Sequence, residues 1–493
     1  MYNDLREWLE LVDGIGELKV IKDEGDWNEE MGAITFMVDK AQVEKAPALL
    51  FENIKGHEKG FRVLMNMLGP SPNRFALALG MPPGLTTPEY IELARKQIDK
   101  RIPPKVLAQE DAPINENVKT GKDVDLRKLP APKFWPLDGG RYLGTADAVI
   151  TKDPEGSRLN LGTYRMMVHN ENELGLYVSP GKDARIHMEA ALKKGQELEI
   201  AAVVGIDPLT MAVAGWQYDK TISEYEFMGG IKGEPIEVVK GLTNDLLIPA
   251  RAEMVIEGVI RPGYLKPEGG FGEFTGYYGR PETNTPVVEV KAIRYRNNPI
   301  ITGALMAEYP ACEHAYMVSV IKSALIRNDL ARMGIPGIRA VYSYPAAAAS
   351  YGMNVVSMEQ KYAGHVSQVL SIVAQASAGS YYAKWIIAVD EDVDVFDINQ
   401  VIWAMSTRCN PIQDIDILRN TWSTYLDPTQ NPPENRPYGS KALINACKEH
   451  RYLDVFAKRT RLRKEMHDNV AARWEKLGLP GTPPKIITFE DEK

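Results

Sequence analysis

Cysteine is scarce in this chain. Cys312, Cys409 and Cys447 are the only three in 493 residues. They are odd in number and far apart, so neither a disulfide framework nor a zinc-ligand spacing can be built from them. A reducing, cytoplasmic setting is therefore expected. Long apolar runs are missing too, which argues against a bilayer span and a membrane partner. There is no basic excess: 58 Lys and Arg face 66 Asp and Glu, a formal charge of −8. That argues against a nucleic-acid binder, which carries a basic footprint, but not against a small anionic ligand, which answers to local charge. No internal repeat, low-complexity tract or Rossmann glycine fingerprint is found. The opening M-Y-N-D-L-R-E-W has early acids and no apolar core, so no signal peptide is expected.

What is present is ordinary for a globular protein, and the length fits about three domains. Residues 4–12 place Leu5, Trp8, Leu9 and Val12 at helical spacing behind the cap Asp4. Residues 17–21 alternate like a short strand. Residues 26–46 read as an amphipathic helix with Met31, Ile34, Met37 and Val38 on one face. Residues 48–51 and 61–66 are short apolar strands. Ser71-Pro72 and Thr87-Pro88 open two further helices. This makes an α/β unit over residues 1–115. The proline-rich residues 103–136 read as a linker. Residues 116–310 then read as a mainly β domain, a barrel or sandwich with strands at 142–151, 159–168, 175–178, 198–204, 252–260 and 286–296. From 311 to 493 helices and strands alternate, the pattern of α/β crossovers. The charged residues 440–477 read as a long end helix.

The chain is organised around residues 267–276, P-E-G-G-F-G-E-F-T-G. Glu268 and Glu273 are five apart, so a regular strand would point them to opposite faces. Gly269, Gly270 and Gly272 permit a bend that brings both acids to one pocket. The alternative is a surface turn with two solvated glutamates. Residues 160–165, N-L-G-T-Y-R, break a strand pattern with Asn160, Gly162 and Arg165. Asn can ligate a hard metal through its carbonyl oxygen, and Arg can hold a carboxylate bidentately. For a single Arg, a strand-end salt bridge is the more common outcome. Glu224, in T-I-S-E-Y-E-F at 221–227, follows a polar loop at 215–220.

Taken together, N-L-G-T-Y-R, S-E-Y-E-F, T-N-D-L-L-I-P-A-R-A-E-M-V-I-E-G at 243–258 and P-E-G-G-F-G-E-F-T-G-Y-Y resemble the UbiD family of decarboxylases, in order and spacing. The likeness continues through V-V-S-M-E-Q-K-Y-A-G-H at 355–365 and V-D-E-D-V-D-V-F-D-I-N-Q-V-I-W-A-M-S-T-R at 389–408. The resemblance implies an α+β multidomain fold: an N-terminal α/β unit, a flavin-binding split barrel and a C-terminal α/β oligomerisation domain whose long end helix reaches a neighbour. It implies reversible, non-oxidative decarboxylation with prenylated FMN, Mn2+ and K+. Arg165, Glu268 and Glu273 match the catalytic set, with Glu273 as proton donor. Asn160 and Glu224 match two metal ligands. The third family ligand is usually histidine; here the position is Asp183, in S-P-G-K-D-A-R-I-H, and His187 is the alternative. Thr163, Tyr164, Arg165, Lys182, Gly215, Trp216, Glu224 and Lys361 are the implied cofactor contacts, Lys361 standing in for a basic residue near the phosphate. Residues 213–216 match backbone that contacts potassium and phosphate.

The chemistry agrees with this set. Losing CO2 from an unsaturated carbon leaves a carbanion that no ordinary side chain delocalises, so a cofactor must serve as electron sink. The proton that replaces CO2 requires a carboxylic acid kept protonated near neutral pH. Met306, Glu313 and His314 are expected substrate contacts, with Tyr164 and Tyr309 as further wall; Glu313 can equally be a favourable first-turn acid of a helix. The D-W-N-E-E opening of 26–30 resembles members acting on phenolic acids, so a hydroxybenzoate is the first expected substrate, with CO2 as co-product. The implied partners are a flavin prenyltransferase and further copies of the chain in a homodimer or homohexamer. Two alternatives stand beside this reading: a non-catalytic or partial subunit of a carboxylase complex, and a flavin oxidoreductase on a split barrel.

Overall fold

Leu5, Trp8, Leu9 and Val12 all turn inward on the helix Leu5–Gly14, and Asp4 caps it by accepting from the amides of Arg6 and Glu7. The structure, a computed structural model, describes residues 1–156, 158–216, 222–279, 281–430 and 438–491. Two units are distinguished, Met1–Cys447 and Lys448–Lys493.

In the first unit the N-terminal strands Leu18–Gly25, Ala48–Ile54 and Arg62–Met65 form a four-stranded sheet completed by Ile300–Gly303. Helices Pro72–Ala78 and Thr87–Gln97 begin at the two proline signals, behind Ser71 and Thr86. The helix expected over 26–46 is shorter, Glu30–Ala41. Asp26 accepts from the Asn28 amide and Glu29 has φ +71°, so the chain turns before the helix starts. Its buried face is Met31, Gly32, Thr35 and Asp39, while Met37 is 68% exposed.

The proline-rich stretch is no free linker. Ile114, Val124, Leu126, Leu129, Ala131 and Phe134 are buried. Lys105–Val106 pairs with Glu237–Lys240, and Asn117–Thr120 pairs with Thr283–Tyr295. Apolar side chains placed between the prolines fasten the segment to the core, a signal that counting prolines hides.

The nine-stranded sheet runs Tyr142–Leu143, Met166–Val168, Glu173–Leu176, Thr283–Tyr295, Met254–Glu268, Leu198–Val204, Asp147–Lys152, Leu159–Gly162, with Asn117–Thr120 beside Thr283–Tyr295. Its two ends are not paired with each other among the described residues, so the sheet does not close. Yet residues 163–165 carry the chain from the last strand, Leu159–Gly162, to the one next to the first, Met166–Val168. Such a link spans on the order of 14 Å at most. The sheet therefore curls until its edges nearly meet, which is a split barrel, and residues 163–165 lie at the slot.

A third sheet runs Ile338–Ser343, Met353–Met358, Trp385–Asp390, Gly439–Ala446, Ile415–Thr421. Its three inner strands are parallel, and helices Ala315–Arg332, His365–Gln375 and Ile398–Arg408 accompany it. Residues 440–446 thus belong to an inner strand, not to an end helix. In the second unit the described helix is Lys464–Ala471, eight residues with none buried. Leu453 and Leu462 are exposed. A helix that long needs a continuous apolar face, and this tail lacks one. No helix among the described residues is long and apolar enough to cross a membrane.

Candidate active site

Arg165 stands at the slot of the split barrel. Gly162, just before it, has no room for a side chain: a Cβ there would lie 2.3 Å from the Tyr164 hydroxyl. Glu268 is the last residue of the long strand Met254–Glu268 and is fully buried. The chain then bends. Gly270 adopts φ +61°, and a Cβ on it would meet the Leu137 carbonyl oxygen at 2.1 Å. The bend closes through Glu273 N–H donating to the Tyr277 carbonyl at 2.9 Å.

Both acids consequently reach one guanidinium. Arg165 Nε donates to Glu268 Oε1 at 3.0 Å, and Nη1 donates to Glu273 Oε1. The guanidinium packs over the Tyr177 ring at 4.6 Å and the Phe271 ring at 5.1 Å. The Tyr142 hydroxyl lies 3.2 Å from Glu268 Oε1. Burial pushes the Glu273 carboxyl up to about 7; Arg165 opposes this and Glu268 adds to it. Burial works against the Arg165 charge, but Glu268 and Glu273 hold it above its usual value. One cation facing two buried acids favours keeping one acid protonated, and Glu273 is placed to be that acid. Arg165 Nη2 and Glu268 Oε2 are buried without a hydrogen-bond partner.

Arg165 and Glu273 face a cavity of about 380 Å³. Its apolar wall includes Tyr177, Phe271, Phe274, Met306, Tyr351 and Tyr381. His314 lines it as well. Burial, with the Lys182 charge adding, lowers the imidazole pKa to about 4, so it is neutral. Its Nε2 has no hydrogen-bond partner.

At one end of the cavity stand three oxygen-bearing side chains. Asn160 comes from the edge strand Leu159–Gly162, and Asp183 and Glu224 are the first residues of helices Asp183–Lys193 and Glu224–Lys232. A helix N-terminus favours anions nearby. The Leu161 amide donates to Glu224 Oε2 at 3.0 Å, and burial raises the Glu224 carboxyl to about 7. Arg158 joins the two acids, 3.1 Å from Asp183 and 3.9 Å from Glu224. His187 does not line this cavity; it is buried with Nδ1 2.9 Å from the Thr151 hydroxyl. Of Asp183 and His187, Asp183 lines the cavity and His187 does not. Among the described residues no group of three His, Cys, Asp or Glu is placed to hold a metal.

Three family models match the sequence in succession: the N-terminal, Rift-related and C-terminal domains of 3-octaprenyl-4-hydroxybenzoate carboxy-lyase, over residues 9–94, 105–309 and 315–446. The chain belongs to the UbiD family. It is 34% identical over 441 residues to a phenolic acid decarboxylase of Bacillus subtilis (strain 168), covering 87% of this chain and 90% of that one. It is similar in structure to the vanillic acid decarboxylase of Sedimentibacter hydroxybenzoicus in closed form: TM-score 0.86, 30% identity, 97% and 98% of the two chains covered. An evolved dimeric form of the UbiD-class enzyme HmfF from Pelotomaculum thermopropionicum, in complex with prFMN, matches with TM-score 0.79 and 27% identity over 93% and 97% of the chains. The chain is thus a carboxy-lyase of UbiD type.

Within this UbiD site, most residues singled out from sequence come together. Asn160, Thr163, Tyr164, Arg165, Lys182, Asp183, Gly215, Trp216, Glu224, Glu273, Met306 and His314 all line the cavity, and Glu268 lies directly behind Arg165. Besides His187, three more do not line it. Lys361 pairs with Glu359 at the surface. Glu313 turns away, because the amides of Leu68 and Gly69 donate to its carboxylate. Tyr309 lies off the wall. Residues 217–221 of the loop before Glu224 fall outside the described residues. Sequence reading misses Tyr142, Arg158, Tyr351 and Tyr381. Arg158 carries a faint signal, two residues before Asn160; the tyrosines arrive from distant segments and carry none.

Proposed function

We propose that this chain decarboxylates a hydroxylated benzoate-type acid, reversibly and without net oxidation, using prenylated FMN. The observation that carries this reading is one buried guanidinium holding two buried carboxylates at an aromatic-lined cavity. Decarboxylation needs an acid that is protonated near neutral pH and can lose its proton, and Glu273 meets that requirement. Arg165 orients the Glu273 carboxyl, and Glu268 fixes Arg165. The relatives named for phenolic and vanillic acid decarboxylation support the substrate class.

The residues fit the cofactor. Arg165 Nη2 is buried and unpartnered at the cavity, and the volume is that of a small-molecule site. Lys182 and Thr163 would contact it, with Tyr164, Gly215, Trp216 and Glu224 around it. When bound, prenylated FMN supplies the electron sink for the carbanion. Asn160, Asp183 and Glu224 offer the hard oxygen set that suits Mn2+, and backbone of residues 213–216 would hold K+. The chain's own residues do the rest. The aromatic wall excludes water, Met306 and Phe274 support the ring, and neutral His314 meets a phenol hydroxyl with Nε2. Supply of the cofactor by a flavin prenyltransferase and assembly into a homodimer or homohexamer belong to the same proposal.

Co-expression with a flavin prenyltransferase tests this. The mass and absorbance of the released cofactor, metal analysis and a panel of aromatic acids are recorded together. Prenylated FMN, bound manganese and CO2 from 4-hydroxybenzoate or a methoxylated analogue are expected. Loaded protein that releases CO2 from none of the aromatic acids would sink the reading.

A further inference from the structure

Two lysines are buried in the first unit without a carboxylate partner among the described residues. Lys322, on helix Ala315–Arg332, is 5% exposed, and Lys441, on strand Gly439–Ala446, is 1% exposed. Burial lowers Lys322 to about 7, with Lys441 pressing the same way, and lowers Lys441 to about 8. A buried ammonium without an acid must be held by hydrogen bonds. Each of these is held by backbone carbonyls. Lys322 donates to Ser350 and Tyr351 at 3.1 Å each. Lys441 donates to Ser380 and, at 3.0 Å, to Ala383.

The carbonyls are those of the two segments that carry Tyr351 and Tyr381 to the cavity. These rings meet edge to face, centroids 5.6 Å apart. Tyr351 also packs on Phe274 at 5.1 Å and on His314 at 5.8 Å. Both hydroxyls lie within electrostatic reach of Glu273. Their backbone is held against its own preference. Ala348, Ala349 and Ser350 are consecutive at φ +47°, +51° and +71°, and Tyr382 is at +59°. Residues with a side chain adopt this region singly and at a cost, so three in a row persist only where the surroundings over-determine them. Ser350 Oγ, donating to the Ala315 carbonyl at 2.9 Å, is the second tie.

We propose that Lys322 and Lys441 are positioning residues which fix Tyr351 and Tyr381 as the wall that selects among ring substituents. The inference rests on the decarboxylase reading for its substrates and on the clamps alone for its geometry. Lysine suits the task because one ammonium can donate to two carbonyls at once.

The experiment uses the full chain loaded with cofactor. The variants are Lys322→Met, Lys441→Met and Lys322→Gln. The readouts are kcat and KM on 4-hydroxybenzoate and on 4-hydroxy-3-methoxybenzoate. The ratio of the two kcat/KM values is expected to shift about tenfold in the Met variants, the scale of one group in a pocket, through KM rather than kcat. Lys322→Gln can still donate to one carbonyl and is expected to fall between. An unchanged ratio, or an equal loss of kcat on both acids, overturns the proposal. Should the Met variants not fold, the ratio in Lys322→Gln decides it in the same way. The 19F spectrum of 3-fluorotyrosine at position 351, recorded in wild type and Lys322→Gln, does not depend on turnover. Broadening or splitting in the variant supports the clamp, and an unchanged line overturns it. Absence of turnover by wild type on both acids would count against the hydroxybenzoate substrate alone, and the fluorine line would still judge the clamp.

Discussion

Glu273 is an acid because it is buried, and Arg165 keeps it useful by limiting how far burial acts. Glu273→Gln removes the proton but keeps the shape, so kcat should fall by about 10² to 10⁴, with KM within a few-fold; steady-state kinetics of the loaded protein measure both. The pH dependence follows from the sign of the shift. Burial holds the Glu273 carboxyl up to about 7 in the folded protein, against the ordinary 4.5 of a solvated glutamate in the unfolded chain. The donor is present below about pH 7 and is lost above it, so the decarboxylation rate should fall as pH rises through 7. The folded state binds the extra proton between the two values, so this group's contribution to stability is fully present below 4.5 and is lost as pH rises to 7. Arg165→Met leaves two buried acids without their cation and should cost about 3–5 kcal/mol by denaturant unfolding. At this scale the spacing alone left the two acids and Arg165 open to ordinary readings, a solvated turn and a strand-end salt bridge, and only the motifs taken together pointed to them as a set. Glu313 was misplaced because nothing local reveals that two amides 244 and 245 residues away will claim its carboxylate.

The bend at 268–273 is where local structure becomes chemistry. Gly270→Ala would set a side chain at φ +61° and 2.1 Å from a carbonyl oxygen. We expect the left-handed cost of about 1–2 kcal/mol plus displacement of Glu273, so that turnover falls further than bound flavin does. Turnover falling only in proportion to flavin content would contradict that. Elements with a strong pattern were legible: helix Leu5–Gly14 and strands Leu198–Val204 and Thr283–Tyr295 fall close to their expected bounds. The start of the second helix was not, because the Asp26 turn competes with helix there. The tail was not either, since K-A-L-I-N-A at 441–446 finds strand partners on both sides.

Across the molecule, one short crossing of the barrel slot brings Asn160 and Arg165 to the same cavity, five residues apart. Asn160 stands with Asp183 and Glu224, and Arg165 with Glu268 and Glu273. Chelation of the loaded protein should therefore release flavin, and manganese should restore its retention; absorbance after gel filtration reads this. Flavin retained in full without metal would show that Arg158 and Lys182 suffice. The curled sheet itself was legible only as strand-rich texture. Its order depends on pairings such as Leu198–Val204 with Met254–Glu268, which no local pattern encodes.

The central claim is that Glu273 delivers the proton that replaces CO2. Decarboxylation of 4-hydroxybenzoate in D2O, by loaded wild type and loaded Glu273→Gln, tests it most directly, with NMR of the product at the carbon that lost its carboxyl. We predict deuterium at that carbon at the wild-type rate of CO2 release, and at least a hundredfold slower incorporation in Glu273→Gln, within the range for general acids. Incorporation at equal rates in both proteins would contradict the account.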